Sequence, residues 1–222
     1  MAIAADMLRP TEAAVVARVA LRDVNRAIDE RILPDGFFTV EGGRHVLVSA
    51  CALISFYFAS ARHLTAEERL LAVREAGSRL HKFRTLAPAA LIEQDWTVRD
   101  EFLTIDLAPF VRRTKERMDR LAAARALVAT DPDVLGGTQV IRGTRVPVHD
   151  VAASVAANIP TDRILAAYPA LDAEKIELAT IYAEANPARG RPRSNDELPK
   201  GAVVIADRRV PCRAKARPSR KG

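Results

Sequence analysis

The residues with the clearest potential for chemistry lie in one stretch, DPDVLGGTQVIRGTRVPVHDV, at positions 131–151. A phosphate loop ends in Gly-Lys-Ser/Thr, and a dinucleotide fingerprint has three glycines that open a long helix. Here the glycines are instead followed by residues that alternate between apolar and polar. The pattern predicts a hairpin of TQVIR and RVPV rather than a nucleotide site. Its structural turn residues are Gly136, Gly137, Gly143, Thr144 and Arg145, with the reversal at Gly143-Thr144.

Carboxylates in the same region give a second possibility, a metal-dependent hydrolase built on Asp131, Asp133 and Glu174. Asp131 precedes a proline, which is typical of a turn, and Asp150 is placed to start a helix. The sequence shows no Ser-His-Asp or Cys-His pairing, and no metal-ligand spacing among its histidines, which are His45, His63, His81 and His149. We therefore expect no catalytic residue, no metal, no cofactor and no enzyme activity.

Composition and charge separate the body of the chain from its end. The 222 residues carry a net charge of +6, and 49% of them are hydrophobic, which suits a sizeable core. Residues 187–222 hold eleven Lys/Arg against three Asp/Glu, together with five prolines. This composition predicts a disordered basic tail. The two cysteines, Cys51 and Cys212, show no paired spacing, so we expect neither a disulfide nor a zinc site, and a cytoplasmic protein.

The longest apolar run, HVLVSACALISFYFA at residues 45–59, is shorter than the roughly 20 residues that a membrane-spanning helix needs. It predicts a buried strand that passes into a buried helix, with Cys51 as an inert thiol, and no membrane partner.

The remaining pattern predicts a mainly helical chain with small β-hairpins. Thr11 is expected to cap a short helix, which is followed by a tight turn near Arg18–Ala20 and a helix over Leu21–Ile32. FFTVEGGRHVLVS and WTVRDEFLTIDL each predict a hairpin. Thr65 and Glu68 form a capping box for a helix to about Lys82.

An amphipathic helix is expected over residues 110–129, and three short helices follow the glycine-rich stretch. Thr161 and Asp172 are the expected caps of the second and third. The predicted domains are a DNA-binding unit at 1–84, a hairpin and connecting helix at 85–129, a small helical domain at 130–186 and the tail at 187–222.

Residues 130–186 resemble the family described as domain of unknown function 433. The resemblance rests on Asp131-Pro132, Gly136-Gly137, the GTRVPV segment at 143–148 and Tyr168-Pro169. It implies a helix-turn-helix-like module of three helices. It also implies an antitoxin of the VapB type, whose partner is a ribonuclease toxin of the PIN-like class.

Residues 11–50 resemble the winged helix-turn-helix of MerR-like regulators. The resemblance makes Leu21–Ile32 the recognition helix, and it departs from the usual pattern in having Arg18 rather than glycine in the turn. The implied DNA-binding residues are Arg22, Asn25 and Arg26 on the helix, and Arg44 and His45 on the wing. The alternative is a helical hairpin with solvated arginines, since acidic residues share that helix.

The basic tail has two interpretations. Arg208, Arg209 and Arg213 could cover the acidic site of a ribonuclease toxin, with AVVIA at 202–206 adding a strand to the partner. Alternatively, the tail only keeps the protein soluble.

Together these observations predict a homodimeric antitoxin that neutralises a PIN-like ribonuclease and represses its own operator. The first alternative is a plain transcriptional regulator without a toxin, and the second is the hydrolase considered above.

Overall fold

The computed structural model describes residues 7–82 and 92–188 of the chain. This part is mainly helical with small antiparallel sheets, as predicted. The helices are α1 (Pro10–Ala17), α2 (Leu21–Asp29), α3 (Ala50–Ala59), α4 (Ala66–Lys82), α5 (Ala108–Leu127), α6 (Val148–Ala156), α7 (Thr161–Ala167) and α8 (Ala173–Ala185). The strands are β1 (Met7–Leu8), β2 (Phe38–Thr39), β3 (His45–Leu47), β4 (Thr97–Arg99), β5 (Thr104–Asp106), β6 (Val128–Thr130) and β7 (Gln139–Ile141). None of the helices in these two ranges is long and apolar enough to cross a membrane.

The start of α1 differs from the prediction. Pro10 occupies the first turn, where its missing N–H costs nothing, and Arg9 is the flanking residue. The carboxylate of Glu12 accepts the backbone N–H of Arg9 at 3.0 Å and takes the capping role. Thr11 therefore does not cap the helix. Its hydroxyl donates at 2.8 Å to the carbonyl of Ala185, at the end of α8.

A tight turn joins α1 to α2, as predicted. Arg18 adopts the left-handed conformation with φ 55° and ψ 51°, and the N–H of Val19 bonds back to the carbonyl of Ala14 at 3.1 Å. Helix α2 ends at Asp29, three residues before the predicted Ile32. Arg31, with φ 50°, cannot continue a right-handed helix.

The predicted hairpin follows α2 and belongs to a three-stranded antiparallel sheet of order β1-β3-β2. Thr39 pairs with His45 across the hairpin, and Leu8 pairs with Val46 on the other side. The two-residue strand β1 is too short to predict from its sequence.

The first hydrophobic core gathers residues from α1 to α5, including the apolar run that predicts a strand entering a buried helix. That prediction is confirmed, since β3 leads into α3 and Cys51 to Tyr57 are buried. Phe56 meets Phe110 of α5 edge to face, with ring centroids 5.5 Å apart. The capping box of α4 is also confirmed, because Thr65 and Glu68 exchange backbone-to-side-chain hydrogen bonds.

The glycine-rich stretch pairs differently from the prediction. β7 forms its regular ladder with β6, and Val128 lies opposite Ile141. The expected second strand, RVPV, makes a single bridge between Val140 and Pro147 before α6 begins. Pro147 has no N–H to donate, so the pairing stops there.

The three helices predicted after this stretch are present as α6, α7 and α8, and they enclose a second, smaller core around Ile141, Val151 and Ile164. Asp172 caps α8 as predicted, since its carboxylate accepts the N–H of Lys175 at 2.7 Å. Thr161 does not cap α7. Pro160 is the flanking residue, and Thr161 is already the first residue of the helix.

Candidate nucleic-acid interface

The structure brings the two predicted groups of DNA-binding residues together. Arg44, on the hairpin, donates from Nη1 to Oδ1 of Asn25 in α2 at 3.0 Å. Its Nη2 lies 2.9 Å from the carboxylate of Asp29, one helical turn further along α2. The hairpin is therefore attached to the exposed side of α2. We call the side chains of Arg22, Asn25, Arg26, Arg44 and His45 the α2–wing surface. The three arginines are exposed, and Asn25 and His45 are half-buried.

The arginines of the α2–wing surface differ in how they are held. Arg26 pairs with Glu30 at 2.9 Å, and the hydrogen bond that its Nε donates to that carboxylate raises the pKa of Arg26. Arg22 is 90% exposed in its side chain and has only a weak 3.9 Å approach to Asp23. Arg22 is thus the side chain of this surface that is most available to a ligand.

His45 contributes through local geometry. Its Nδ1 lies 3.1 Å from the carbonyl oxygen of Gly43, which orients the ring at the edge of the hairpin. Gly42 and Gly43 have φ values of 71° and 113°, which glycine adopts readily. These two glycines are what allow the chain to reverse immediately before Arg44.

The N-terminal end of α1 carries a charged cluster that the sequence did not reveal. Glu12 is buried, and its Oε1 lies 2.7 Å from Arg9 and 3.0 Å from Arg125 of α5. Arg9 also donates to the side chain of Asn186. Burial on its own would raise the pKa of Glu12, but hydrogen bonds from the Arg9 side chain and backbone and from Arg125 lower that pKa to about 2. The cluster ties α1, α5 and the end of α8 together.

The C-terminal end of α1 carries a different set of charges. Arg117 of α5 donates to the carbonyl oxygen of Val16 at 3.3 Å, two residues before Arg18. Burial, together with the neighbouring charges of Arg18 and Arg113, lowers the pKa of Arg117. None of these three arginines has a carboxylate within ion-pair distance in the described part of the chain. Glu116 offsets part of this positive charge, and the rest has no paired carboxylate among the described residues.

Comparison with known proteins identifies the family. The chain is 62% identical to Uncharacterized protein y4eO of Sinorhizobium fredii over 215 residues, which cover 97% of each chain. The chain belongs to the same family as y4eO. Residues 128–183 also match the family described as Protein of unknown function (DUF433), close to the predicted limits of 130–186. No solved structure matches the chain significantly.

The motif residues of the DUF433 region lie at turns. Gly136, Gly137 and Gly143 have φ values of 63°, 81° and 74°. The hydroxyl of Thr144 donates to the carbonyl of Ile141 at 2.7 Å and accepts the N–H of Val146 at 3.1 Å, so Thr144 closes the turn with its own side chain.

The two arginines that flank this turn behave differently. Arg142, which the sequence did not single out, donates from Nε to the carbonyl of Ala126 at 3.0 Å and from its guanidinium to Val128 at 3.3 Å. Arg142 therefore supplies hydrogen bonds to the carbonyl groups at the C-terminal end of α5. Arg145 is exposed and makes no hydrogen bond or ion pair within residues 7–82 and 92–188.

The candidate metal-binding and catalytic residues do not form a site in the described part of the chain. No cluster of His, Cys, Asp and Glu within the two described ranges could hold a metal ion. Asp131 accepts the N–H of Asp133 in a local turn, while Glu174 lies near Arg120 of α5. Burial raises the pKa of Cys51 to about 12, which leaves its thiol protonated and inert. The tail arginines Arg208, Arg209 and Arg213 lie outside the described residues.

Proposed function

We propose that this chain is a DNA-binding regulator that contacts operator DNA through the α2–wing surface and serves as the antitoxin of a PIN-like ribonuclease. The proposal of DNA binding rests on the hydrogen bond that Arg44 donates to Asn25, which lies 19 positions away in the sequence. This bond makes the side of α2 and the tip of the hairpin one continuous polar surface. A helix for the major groove beside a wing for the phosphate backbone is the arrangement of winged helix-turn-helix proteins.

The roles within this surface follow from exposure and reach. Arg22 is close to the start of α2, and the early residues of a recognition helix are those that contact base edges. Asn25 carries an amide that can pair with adenine, and an arginine fork can pair with guanine. Arg44 and His45, on the hairpin, would contact phosphates, which position the protein without reading sequence.

The ion pairs within the surface do not prevent binding. Arg26–Glu30 and Arg44–Asp29 are exposed pairs, and such pairs contribute only about 0–1 kcal/mol. A DNA phosphate can replace the carboxylate, and counterions released from the DNA favour that exchange. Binding should consequently weaken steeply as salt increases.

Fluorescence anisotropy of the full chain with the DNA upstream of its own gene tests the DNA-binding part. We expect the paired substitutions Arg22→Ala and Asn25→Ala to raise the dissociation constant at least about tenfold, the cost of losing one good base contact. Arg74→Ala is the matched control, because Arg74 is exposed on α4, away from this surface in the chain. Equal affinity of wild type and double variant would contradict the proposal.

The antitoxin part is supported by the resemblance of the DUF433 region to VapB-type antitoxins and by the basic composition of the tail. A PIN-like ribonuclease gathers carboxylates around its metal, and arginines would compete with metal or RNA phosphate there. Arg208, Arg209 and Arg213 are the residues assigned to this contact.

Growth rescue tests the antitoxin part. The neighbouring gene would be induced alone, with the full chain, and with residues 1–186. Rescue by the full chain only would assign neutralisation to the tail, and rescue by both would assign it to the folded part. A harmless neighbour would overturn the antitoxin role and leave a plain transcriptional regulator, whose DNA binding stands on the anisotropy test.

A further inference from the structure

The hairpin of β4 and β5 has an aromatic residue at its tip that folding does not explain. Asp100 and Leu103 exchange backbone hydrogen bonds of 2.8 and 3.3 Å, which leaves Glu101 and Phe102 as the two connecting residues. Two-residue hairpin connections favour pairs such as Asn-Gly or Asp-Gly. Phe102 offers no such turn chemistry and is 97% exposed, so it adds nothing to the core. It is an apolar side chain presented to solvent at the tip of the hairpin.

The tip of this hairpin is acidic. Asp100 accepts the backbone N–H of Glu101 at 2.9 Å, and neither carboxylate has an ion-pair partner in the described part of the chain. We call Asp100, Glu101 and Phe102 the acidic tip. A surface that receives it must combine an apolar depression with positive charge.

The same chain carries such a depression. A groove of about 490 Å³ lies where α1, the α1–α2 turn and the end of α8 meet. Its apolar lining comes from Ala14, Val15, Val19, Ala20 and Leu21, and Leu21 is 43% exposed. Arg18 and Glu184 are the charged residues of its lining, and we call it the Arg18 groove.

The charge around the Arg18 groove complements the acidic tip. Arg113 and Arg117 lie one turn apart on α5. Arg117 bonds to Val16 near the end of α1, and the charges of both Arg18 and Arg113 act on it. Arg18 itself occupies a left-handed position that glycine would adopt without strain.

We propose that two copies of this chain associate reciprocally, with the acidic tip of each copy inserted in the Arg18 groove of the other. Phe102 fills the apolar lining, while Asp100 and Glu101 face Arg18, Arg113 and Arg117. The exchange is self-complementary, as a two-fold dimer requires. The tip leads within a few residues into α5, and Arg117 is about 14 Å along that helix from its start.

Sedimentation equilibrium of the full chain tests this association, which does not depend on DNA binding. We expect a dimer whose dissociation constant rises at least about tenfold with Phe102→Ala and with Arg18→Glu, and rises with salt. Ile159→Ala, which removes another exposed apolar side chain, is the control and should leave the dimer unchanged. Glu184→Gln, which removes the carboxylate of the groove lining, should not weaken it.

Mixing the two variants gives the decisive comparison. The F102A chain keeps an intact groove and the R18E chain keeps an intact tip, so the dimer between them has one unaltered contact, whereas both contacts are altered within either variant alone. We expect the mixture to associate more tightly than the weaker of the two variants. A monomeric wild type, an unaffected F102A dimer, or a mixture no tighter than the weaker variant would overturn the proposal.

Discussion

The two ends of α1 face the same helix, α5, and yet their charges are arranged in opposite ways. At the N-terminal end, the buried carboxylate of Glu12 is held between Arg9 and Arg125. At the C-terminal end, Arg117 donates to the carbonyl of Val16 and lies near the charges of Arg18 and Arg113, and none of the three has a carboxylate in ion-pair range among the described residues.

This difference in charge indicates that the N-terminal end of α1 stabilises the fold, whereas the C-terminal end is suited to binding. A carboxylate that is buried and fully hydrogen-bonded fixes its neighbours, and losing its charge destabilises the fold. Positive charges that are crowded together add little stability, and an acidic ligand can neutralise them where they are exposed, as Arg18 and Arg113 are. The first end therefore joins α1 to α5 and α8, and the second end remains available to a partner.

The largest effect should come from Glu12→Gln, which keeps the shape of the side chain and removes its charge. Arg9 and Arg125 lose their shared partner, and we expect the free energy of unfolding to fall by about 2 kcal/mol. Urea denaturation at pH 7 measures this value. Glu67→Gln, at an exposed site on α4, is the control and should change it by less than about 0.5 kcal/mol. Equal losses of unfolding free energy in both variants would show that Glu12 stabilises the fold no more than an exposed carboxylate does.

The same carboxylate sets a pH dependence. Because the pKa of Glu12 falls from 4.5 to about 2 in the folded protein, its contribution is complete above pH 4.5 and is lost as the pH falls toward 2. We expect the stability difference between wild type and E12Q to shrink over this interval. Ordinary carboxyl groups titrate at about pH 4. If the difference in unfolding free energy between wild type and E12Q stays constant from about pH 6 to about pH 3, Glu12 is not held as described.

A pair of substitutions on α5 compares the two ends within one helix. Arg125→Met removes a partner of Glu12, and we expect a loss of about 1 kcal/mol because Arg9 remains. Arg117→Met relieves repulsion from Arg18 and Arg113 and should change stability by less than about 0.5 kcal/mol. Thermal and urea unfolding of both variants provide the comparison, and the reverse order of effects would contradict it.

The smallest effect concerns the left-handed residue at the turn. Arg18→Gly removes the strain of a side chain at φ 55°, and we expect a gain of about 0.5 kcal/mol after the entropy cost of glycine. Asn158→Gly is the matched control, since Asn158 has the same φ but asparagine tolerates this region. A loss of stability in R18G would mean that the arginine serves the fold.

Sequence patterns predicted most of the local structure, and the errors share a cause. The caps at Thr65 and Asp172 depend only on residues within one turn, and both are present. Thr11 and Thr161 also looked like caps, but each helix begins differently because a proline precedes the threonine. Thr11 instead bonds to Ala185, a contact that no local pattern contains.

Strand pairing was also not predictable from local sequence alone. The turn at Gly143-Thr144 suggested that the neighbouring segment RVPV would complete the hairpin, whereas β7 pairs with β6, which lies on the other side in sequence. Local turn chemistry identifies where the chain reverses, but the partner of an edge strand is chosen by packing across the fold.

The sequence predicted part of the candidate site. The five residues of the α2–wing surface came from a resemblance, but the Arg44–Asn25–Asp29 contacts span 15 to 19 positions and required the fold. Phe102 was overlooked, although an aromatic residue beside two acids in a short hairpin connection is a signal that sequence alone provides. Arg113 and Arg117 looked like ordinary polar positions of an amphipathic helix.

Hydrogen–deuterium exchange of the full chain, with and without the DNA upstream of its gene, tests the proposed function most directly. We expect DNA to protect peptides from residues 21–29 and 38–47, where α2 and the hairpin lie, and to leave residues 148–185 unchanged. Protection confined to the DUF433 region, or no protection anywhere, would contradict DNA recognition by the α2–wing surface.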